Sequence, residues 1–370
     1  MTRTIPLFTC ALLLVALTAC NPTAAALPTA AITAAVTSTA PASPTATARP
    51  TASAAATPAA SGAAAGEPIS AENAASLVPT PLTLPDWPEG FFGPGAGVQV
   101  PGGAPAAGLY ARMGANTLVP IQLDPPAAGA PVQINIPGNM VLFSPDLSGA
   151  AAMVNNTQLT QFDLNGEPVR TYDVPDPYGA SFSPDGSLLA VTTANEMSIL
   201  IYDVKTGQRV TKLTGFQTAA PVYGAGILPG NQTAYWIARA TLQLQAIGSG
   251  EMGQALSFED FIGQVQPSSD GSRLTIAVAG KLIVYQVPSL EKVAEISVSQ
   301  PINALALSPD GKLLAAGYGS GIQIWDAATL TPIASLPGPN DFTGLVSFSP
   351  DGKALVSLHT GNVVNIWKVK

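Results

Sequence analysis

The chain has 370 residues, 23 acidic and 15 basic side chains, a formal charge of −8 at pH 7, one histidine and two cysteines. That acidic balance argues against a nucleic-acid backbone as partner and against a membrane surface bound through a basic patch. Both cysteines fall within the first 20 residues, so the rest of the chain has no disulfide framework and no thiols for a zinc site, and must be held by a packed core.

The chain opens on MTRTIPLFTCALLLVALTAC, with one basic residue, Arg3, an apolar run from Ile5 to Leu17 and small residues before Cys20. This run is too short to cross a hydrocarbon core of about 30 Å, which predicts a signal peptide over residues 1–19. The stretch LTAC at 17–20 resembles the lipobox of bacterial lipoproteins. The resemblance implies cleavage between Ala19 and Cys20, a diacylglyceryl group on the Cys20 sulfur, and a lipid-anchored place on the outer face of the bacterial cell membrane or in the cell envelope. Acyl chains, at about 0.8 kcal/mol per buried CH₂, anchor a protein without a transmembrane helix. The alternative is ordinary secretion, with Cys20 an incidental thiol. Loss of the peptide removes Arg3 and takes the formal charge to −9.

Residues 20–66 are Cys20 followed almost wholly by Ala, Pro, Thr and Ser, with Arg49 the only charge. The segment has no apolar periodicity to bury, and its prolines break helices. It is predicted to be a disordered, partly polyproline tether; about 60 residues up to the folded domain would span roughly 45 Å as a coil and about 190 Å extended. Its Thr/Pro content permits O-glycosylation without requiring it. All 23 acids lie beyond it, in the predicted folded domain at 67–370.

That domain repeats. FSPDL at 143–147, FSPDG at 182–186, SSDG at 268–271, LSPDG at 307–311 and FSPDG at 348–352 share one phrase, and LPGN at 228–231 is a weaker relative. The marker residues Asp146, Asp185, Asn231, Asp270, Asp310 and Asp351 are spaced by 39, 46, 39, 40 and 41 residues. Ser-Pro-Asp-Gly specifies a tight turn: Pro presets φ, Asp bonds back to the backbone, and Gly takes the positive φ. Three apolar or β-branched runs follow each turn, as in SLLAVTT, SILIYDV and QRVTKL after 183–186. An aromatic ends the third strand at Phe162, Tyr202, Tyr285, Trp325 and Trp367. Four short strands every 40 or so residues is the period of a β-propeller blade.

With IWD at 324–326 its nearest motif, the domain resembles a WD40-type β-propeller. The resemblance implies an all-β fold, a seven-bladed propeller of four-stranded antiparallel blades. Blade one is expected around the loose turn PGGAPAAG at 101–108, with GVQV at 97–100 as its innermost strand and GLYARM, LVPIQLD and VQINI following. Blade seven has only three strands in all, two of them after its turn. The family closes its ring with an N-terminal strand, and SLVPTPLTL at 76–84 is the candidate, preceded by a helical turn at 69–75 capped by Ser70. Pro79 and Pro81 fit only an outer edge. No repeat carries the family's Gly-His pair, so its hydrogen-bonded His/Asp/Ser/Trp network is not expected here.

Little in the chain points to chemistry. Asp146, Asp185, Asp270, Asp310 and Asp351 belong to turns, and Asp124, Asp163, Asp203 and Asp326 share one strand position. His359, expected in the turn between the second and third strands of blade seven, has no cysteine partners and no Gly-x-Ser-x-Gly elbow to serve. No glycine-rich phosphate loop is present. No cofactor and no metal are expected. The sequons at Asn155 and Asn231 carry little weight beside a lipobox.

What remains is the mouth of the ring, where the loops leading into the innermost strands converge. They read IPGNM (136–140), PDPYG (175–179), AAPVYG (219–224), FEDFIG (258–263), SQPIN (299–303) and PNDFTG (339–344). Asp176, Tyr178, Tyr223, Glu259, Asp260, Phe261, Asn303, Asp341 and Phe342 are therefore the candidate partner-binding residues, aromatics for contact area and acids for selectivity. Aromatics here could equally plug the channel, and paired carboxylates could serve a glycosidase-like reaction. DWPEGFF at 86–92 stands apart, either packed over the ring or as an exposed hook. The expectation is a monomeric, non-catalytic scaffold with a protein or cell-envelope partner. The rivals are an extracytoplasmic hydrolase or ligand-binding enzyme using channel carboxylates, and a purely structural spacer.

Overall fold

The computed structural model describes residues 66–92, 109–114, 116–155, 157–216, 222–298, 300–339 and 342–369. Blade three shows why these residues become strands. Its second strand, Leu188–Thr193 (LLAVTT), is buried at every position, apolar or β-branched on both faces. Such a strand is stable only with a covered sheet on each side. Its neighbours are the innermost strand Pro177–Phe182 and the third strand Ile199–Asp203, and Arg209–Leu213 lies outermost, all antiparallel. The outermost strand exposes Arg209 and Val210 and buries Leu213, as an edge facing water should.

Seven such sheets follow one another, with innermost strands Gly90–Phe92, Asn139–Phe143, Pro177–Phe182, Gly224–Ile227, Ile262–Pro267, Ile302–Leu307 and Thr343–Phe348. The core is divided in the same way, into seven apolar clusters that each join two neighbouring blades. Leu188 and Ala190 face blade four, for example, while Leu189 and Val191 face blade two, which is the period-two alternation of a strand. The ring closes where Leu109, Val119 and Ile121 of blade one meet Val356, Leu358 and Val364 of blade seven.

The fourth strand of blade seven is Leu77–Thr83, paired antiparallel with Val363–Val369 from Leu77 opposite Val369 to Thr83 opposite Val363. Pro79 and Pro81 lie in this outermost strand, where the missing N–H groups would have faced water. The preceding helical turn is shorter than expected, a 3-10 turn over Ala74–Ser76. Asn73 bonds there through its side chain, its Oδ1 accepting from the Ser70 N–H at 2.8 Å and its Nδ2 donating to the Pro68 carbonyl at 2.9 Å, while Ser70 bonds to the Glu72 side chain. The Ile69 N–H donates to the Gly352 carbonyl at 2.9 Å, so the chain joins the ring beside a Ser-Pro-Asp-Gly turn.

Blade one differs from expectation. Its innermost strand is Gly90–Phe92, with Gly90, Phe91 and Phe92 opposite Arg112, Ala111 and Tyr110. DWPEGFF is therefore no separate insert: it is the loop into blade one together with that strand. GVQV at 97–100 and the turn at 101–108 lie outside the described residues. The outer edge is split, Pro126–Ala128 and Val132–Gln133 both pairing with Thr117–Leu123.

The repeated turn has one geometry. In each of five copies the serine hydroxyl donates to the aspartate Oδ1, at 2.8 Å for Ser144–Asp146 and 2.6 Å for Ser183–Asp185, Ser268–Asp270, Ser308–Asp310 and Ser349–Asp351. The same carboxylate accepts the N–H two residues on, at 2.9 Å for Ser272 and 3.1 Å for Lys353. In the weaker fourth turn Asn231 takes the left-handed conformation, φ 57°. Its amide reaches the previous blade, donating to Asp185 Oδ2 at 2.7 Å and Ser187 Oγ at 2.8 Å.

Candidate partner-binding face

Antiparallel strands alternate in direction, which sorts the loops between two faces. The Ser-Pro-Asp-Gly turns and the turns between third and fourth strands share one. The loops into the innermost strands and the turns between second and third strands share the other, the mouth face. Eleven large apolar side chains are exposed among the described residues. Five of them, Val78, Val169, Val210, Met252 and Val293, lie on outermost strands. The other six, Trp87, Tyr178, Met197, Tyr223, Phe261 and Phe342, all lie on the mouth face. Every exposed aromatic described is thus at one end of the ring, and none is at the other.

Backbone irregularity aims one of these side chains, Tyr178. The innermost strands of blades three, five, six and seven each carry a register shift at their mouth end, which leaves Tyr178, Gly263, Asn303 and Gly344 as the extra residue. A bulge of this kind turns a side chain out of the ladder. Tyr178 is 50% exposed and Phe261 61% exposed, so neither plugs the ring as a buried stopper would. Asn303 is half-buried, and its carbonyl accepts from Gln264 Nε2 at 2.9 Å, which ties blades five and six together and makes it part of the wall.

Two pairs are brought together. The Tyr223 hydroxyl donates to the Arg239 carbonyl at 2.7 Å, and the Arg239 guanidinium lies 6.0 Å from the centre of the Phe261 ring. This tyrosine–arginine–phenylalanine group bridges blades four and five, with a cation over an aromatic face. Trp87 and Phe342 have ring centres 6.3 Å apart. Gly344 permits that approach, because a Cβ there would come within 2.6 Å of the Trp87 ring.

The acids divide by partner. Glu89 pairs with Arg112, and Glu196 with Lys212 at 2.6 Å. Asp86, Asp173, Asp176, Glu259 and Asp260 are exposed and have no ion-pair partner among the described residues. Asp176 sits at φ 46° and accepts a hydrogen bond from the Asn195 amide. Asp341 and Cys20 lie outside the described residues. The mouth face therefore combines exposed aromatics with carboxylates, and Arg239 is its stacked cation. Among the described residues no group of three acid, histidine or cysteine side chains is placed to hold a metal ion.

Trp87, Met197 and Arg239 were not among the expected residues. Trp87 was legible in principle, since any residue between the closing strand and the next innermost strand must cross the mouth. Met197 and Arg239 belong to the turns between second and third strands, which antiparallel pairing puts at the same end.

His359 corrects two expectations. It is the last residue of the second strand, Leu355–His359, not a turn residue, and it is fully buried. It also belongs to a hydrogen-bonded chain across three strands of blade seven. Trp367 Nε1 donates to Ser357 Oγ at 2.8 Å, Ser357 Oγ lies 2.8 Å from His359 Nε2, and His359 Nδ1 lies 3.2 Å from Thr343 Oγ1. A Trp–Ser–His network therefore forms without a Gly-His pair, against expectation, and ends on the Thr343 hydroxyl rather than on an aspartate. If Ser357 accepts from Trp367 and donates to Nε2, the imidazole proton sits on Nδ1 and goes to Thr343, which satisfies every member. Burial pushes the His359 pKa down to about 4. The ring is neutral at pH 7 and has no carboxylate bonded to it, a structural arrangement.

Comparison with known proteins agrees with the fold. The family described as WD domain, G-beta repeat matches residues 291–326, which run from the turn before the outer strand of blade five to Asp326. Small ribosomal subunit protein RACK1 of Schizosaccharomyces pombe is 29% identical over 121 residues, 30% of this chain and 38% of that protein. Transcription factor unc-37 of Caenorhabditis elegans is 32% identical over 112 residues, 30% of this chain and 18% of that protein. The chain spans well under half the length of either relative.

Proposed function

We propose that this chain is a non-catalytic binding module that holds a protein partner with basic and apolar side chains on its mouth face, and that it is lipid-anchored in a bacterial envelope through Cys20. One observation carries the binding reading: every exposed aromatic described lies on that face, with carboxylates that have no ion-pair partner among the described residues. Large, stiff aromatic side chains give contact area at low entropic cost, and surrounding charge selects the partner and speeds its approach. The similarity to WD repeat proteins supports a scaffold more than an enzyme. The lipobox-like LTAC at 17–20 supports the anchor.

The test is crosslinking in the cells that make the protein, followed by mass spectrometry, with a Tyr178/Phe261/Phe342 triple-alanine variant alongside. A specific partner captured by wild type and lost from the folded variant is the expected result. Equal capture by both overturns the assignment of the face. Turnover of a glycan or small ligand that is lost on substituting Asp176, Glu259 and Asp260 would favour the enzyme instead. For the anchor, wild type should sediment with membranes and Cys20→Ala should not.

A further inference from the structure

An apolar cleft of about 220 Å³ opens between blades two and three. Leu142, Met153 and Leu159 of blade two form one wall, and Pro177, Ala180 and Val191 of blade three form the other. Pro177 starts its innermost strand, Leu159 lies near the start of its third strand and Met153 near the end of its second, all at the mouth end, while Leu142, Ala180 and Val191 lie further along their strands, so the cleft runs inward from the mouth. The two residues that flank Pro177 are Asp176, exposed and without an ion-pair partner among the described residues, and Tyr178, turned out by the bulge. Asp173, also exposed, begins the same loop.

We propose that this cleft is the anchor pocket of the mouth face, taking one branched or aromatic apolar side chain from an extended polypeptide whose adjacent Lys or Arg pairs with Asp176. Three observations set the occupant. Small-molecule sites usually enclose roughly 300–1,000 Å³ with several convergent polar groups. This cleft is smaller, and apolar side chains line it, so a single side chain fits and a cofactor does not. The carboxylate at its rim accepts only the Asn195 amide among the described contacts, which leaves acceptor capacity for a cation. Tyr178 beside it supplies a flat surface for the backbone or aliphatic stem of the next residue. The pocket deepens the binding reading above and depends on it.

The experiment is selection of a random 12-residue peptide display library on the full chain, followed by affinity measurement of enriched synthetic peptides. The expected peptides carry a Leu, Ile or Phe next to Lys or Arg. Replacing that apolar residue by Ala, or filling the cleft with Ala180→Met or Leu142→Phe, should weaken binding at least tenfold. Two filling variants on opposite walls guard against one that fails to fold, and Asp176→Asn should weaken binding about threefold and flatten its salt dependence. If peptides bind both filled variants as well as wild type but lose affinity to Phe261→Ala, the mouth face stands and the anchor pocket is overturned. If no peptide is enriched, or the enriched ones bind all these variants equally, both are overturned.

Discussion

The two ends of the same seven blades use similar residues in opposite ways. On the Ser-Pro-Asp-Gly face each aspartate is turned inward onto its own loop. The Ser268 hydroxyl, with the N–H and hydroxyl of Ser272, holds the Asp270 carboxyl down to about 2. At Asp185, desolvation raises the pKa, but bonds from Ser183, Ser187 and Asn231 outweigh it and the net shift is downward. On the mouth face Asp176, Glu259 and Asp260 are exposed, without ion-pair partners among the described residues, and beside bare aromatics. A repeated acid whose oxygens are filled by the backbone explains a turn. An irregular acid with acceptor capacity left over, in the loop before a bulged strand, is free to meet something else.

The contrast predicts that one set of substitutions changes stability and leaves binding alone, while the other does the reverse. The largest effect should come from Ser357→Ala, which leaves the buried Trp367 N–H and the His359 ring without a partner. A loss of roughly 2–4 kcal/mol is expected from two orphaned groups, read as a lower denaturant midpoint at an unchanged slope, with partner capture unaffected at permissive temperature.

The next effect is a pH dependence. The His359 pKa is about 4 in the folded chain against an ordinary 6.5, so the unfolded chain takes the proton more readily. The stability of neutral His359 is fully present above pH 6.5 and is lost as pH falls toward 4, at up to about 1.4 kcal/mol per pH unit. His359→Gln should remove that slope, at some cost in stability at pH 7. The carboxylate of Asp270 acts in the same direction but lower, between its ordinary 3.8 and about 2. Curves of stability against pH for wild type and His359→Gln should therefore differ in slope between pH 6.5 and 4, and run parallel above and below that window.

Smaller, and confined to binding, are the mouth-face substitutions. Tyr178→Ala or Phe261→Ala should each weaken partner affinity by about 1–2 kcal/mol, with melting temperatures close to wild type, because both side chains are largely in water already. Gly344→Ala should be intermediate in kind. Its methyl would displace the Trp87 ring, so affinity should fall several-fold while stability changes by less than about 1 kcal/mol.

Much of the architecture was legible because it is written locally. A tight turn every 40 residues needs no tertiary information, and the deficit of one strand in blade seven points to a donor near the N-terminus. The loops at the mouth followed from strand alternation alone. Blade one was harder: its innermost strand, Gly90–Phe92, has three residues and follows a proline-rich loop, so neither period nor alternation marks it. The network around His359 was hidden for another reason. Thr343, Ser357, His359 and Trp367 come from three strands and meet only through register, Thr343 opposite His359 and Leu355 opposite Trp367. Arg239 carries no mark in the sequence that sets it apart from any turn residue, and its contact with Phe261 exists only because blades four and five adjoin.

A photoreactive side chain placed singly at Phe261 on the mouth face and at Lys312 on the Ser-Pro-Asp-Gly face, in the cells that make the protein, tests the central claim most directly. A discrete covalent adduct from position 261, and none from position 312, is the result the contrast between the two faces predicts. An adduct from 312 alone, or equal adducts from both, would contradict it.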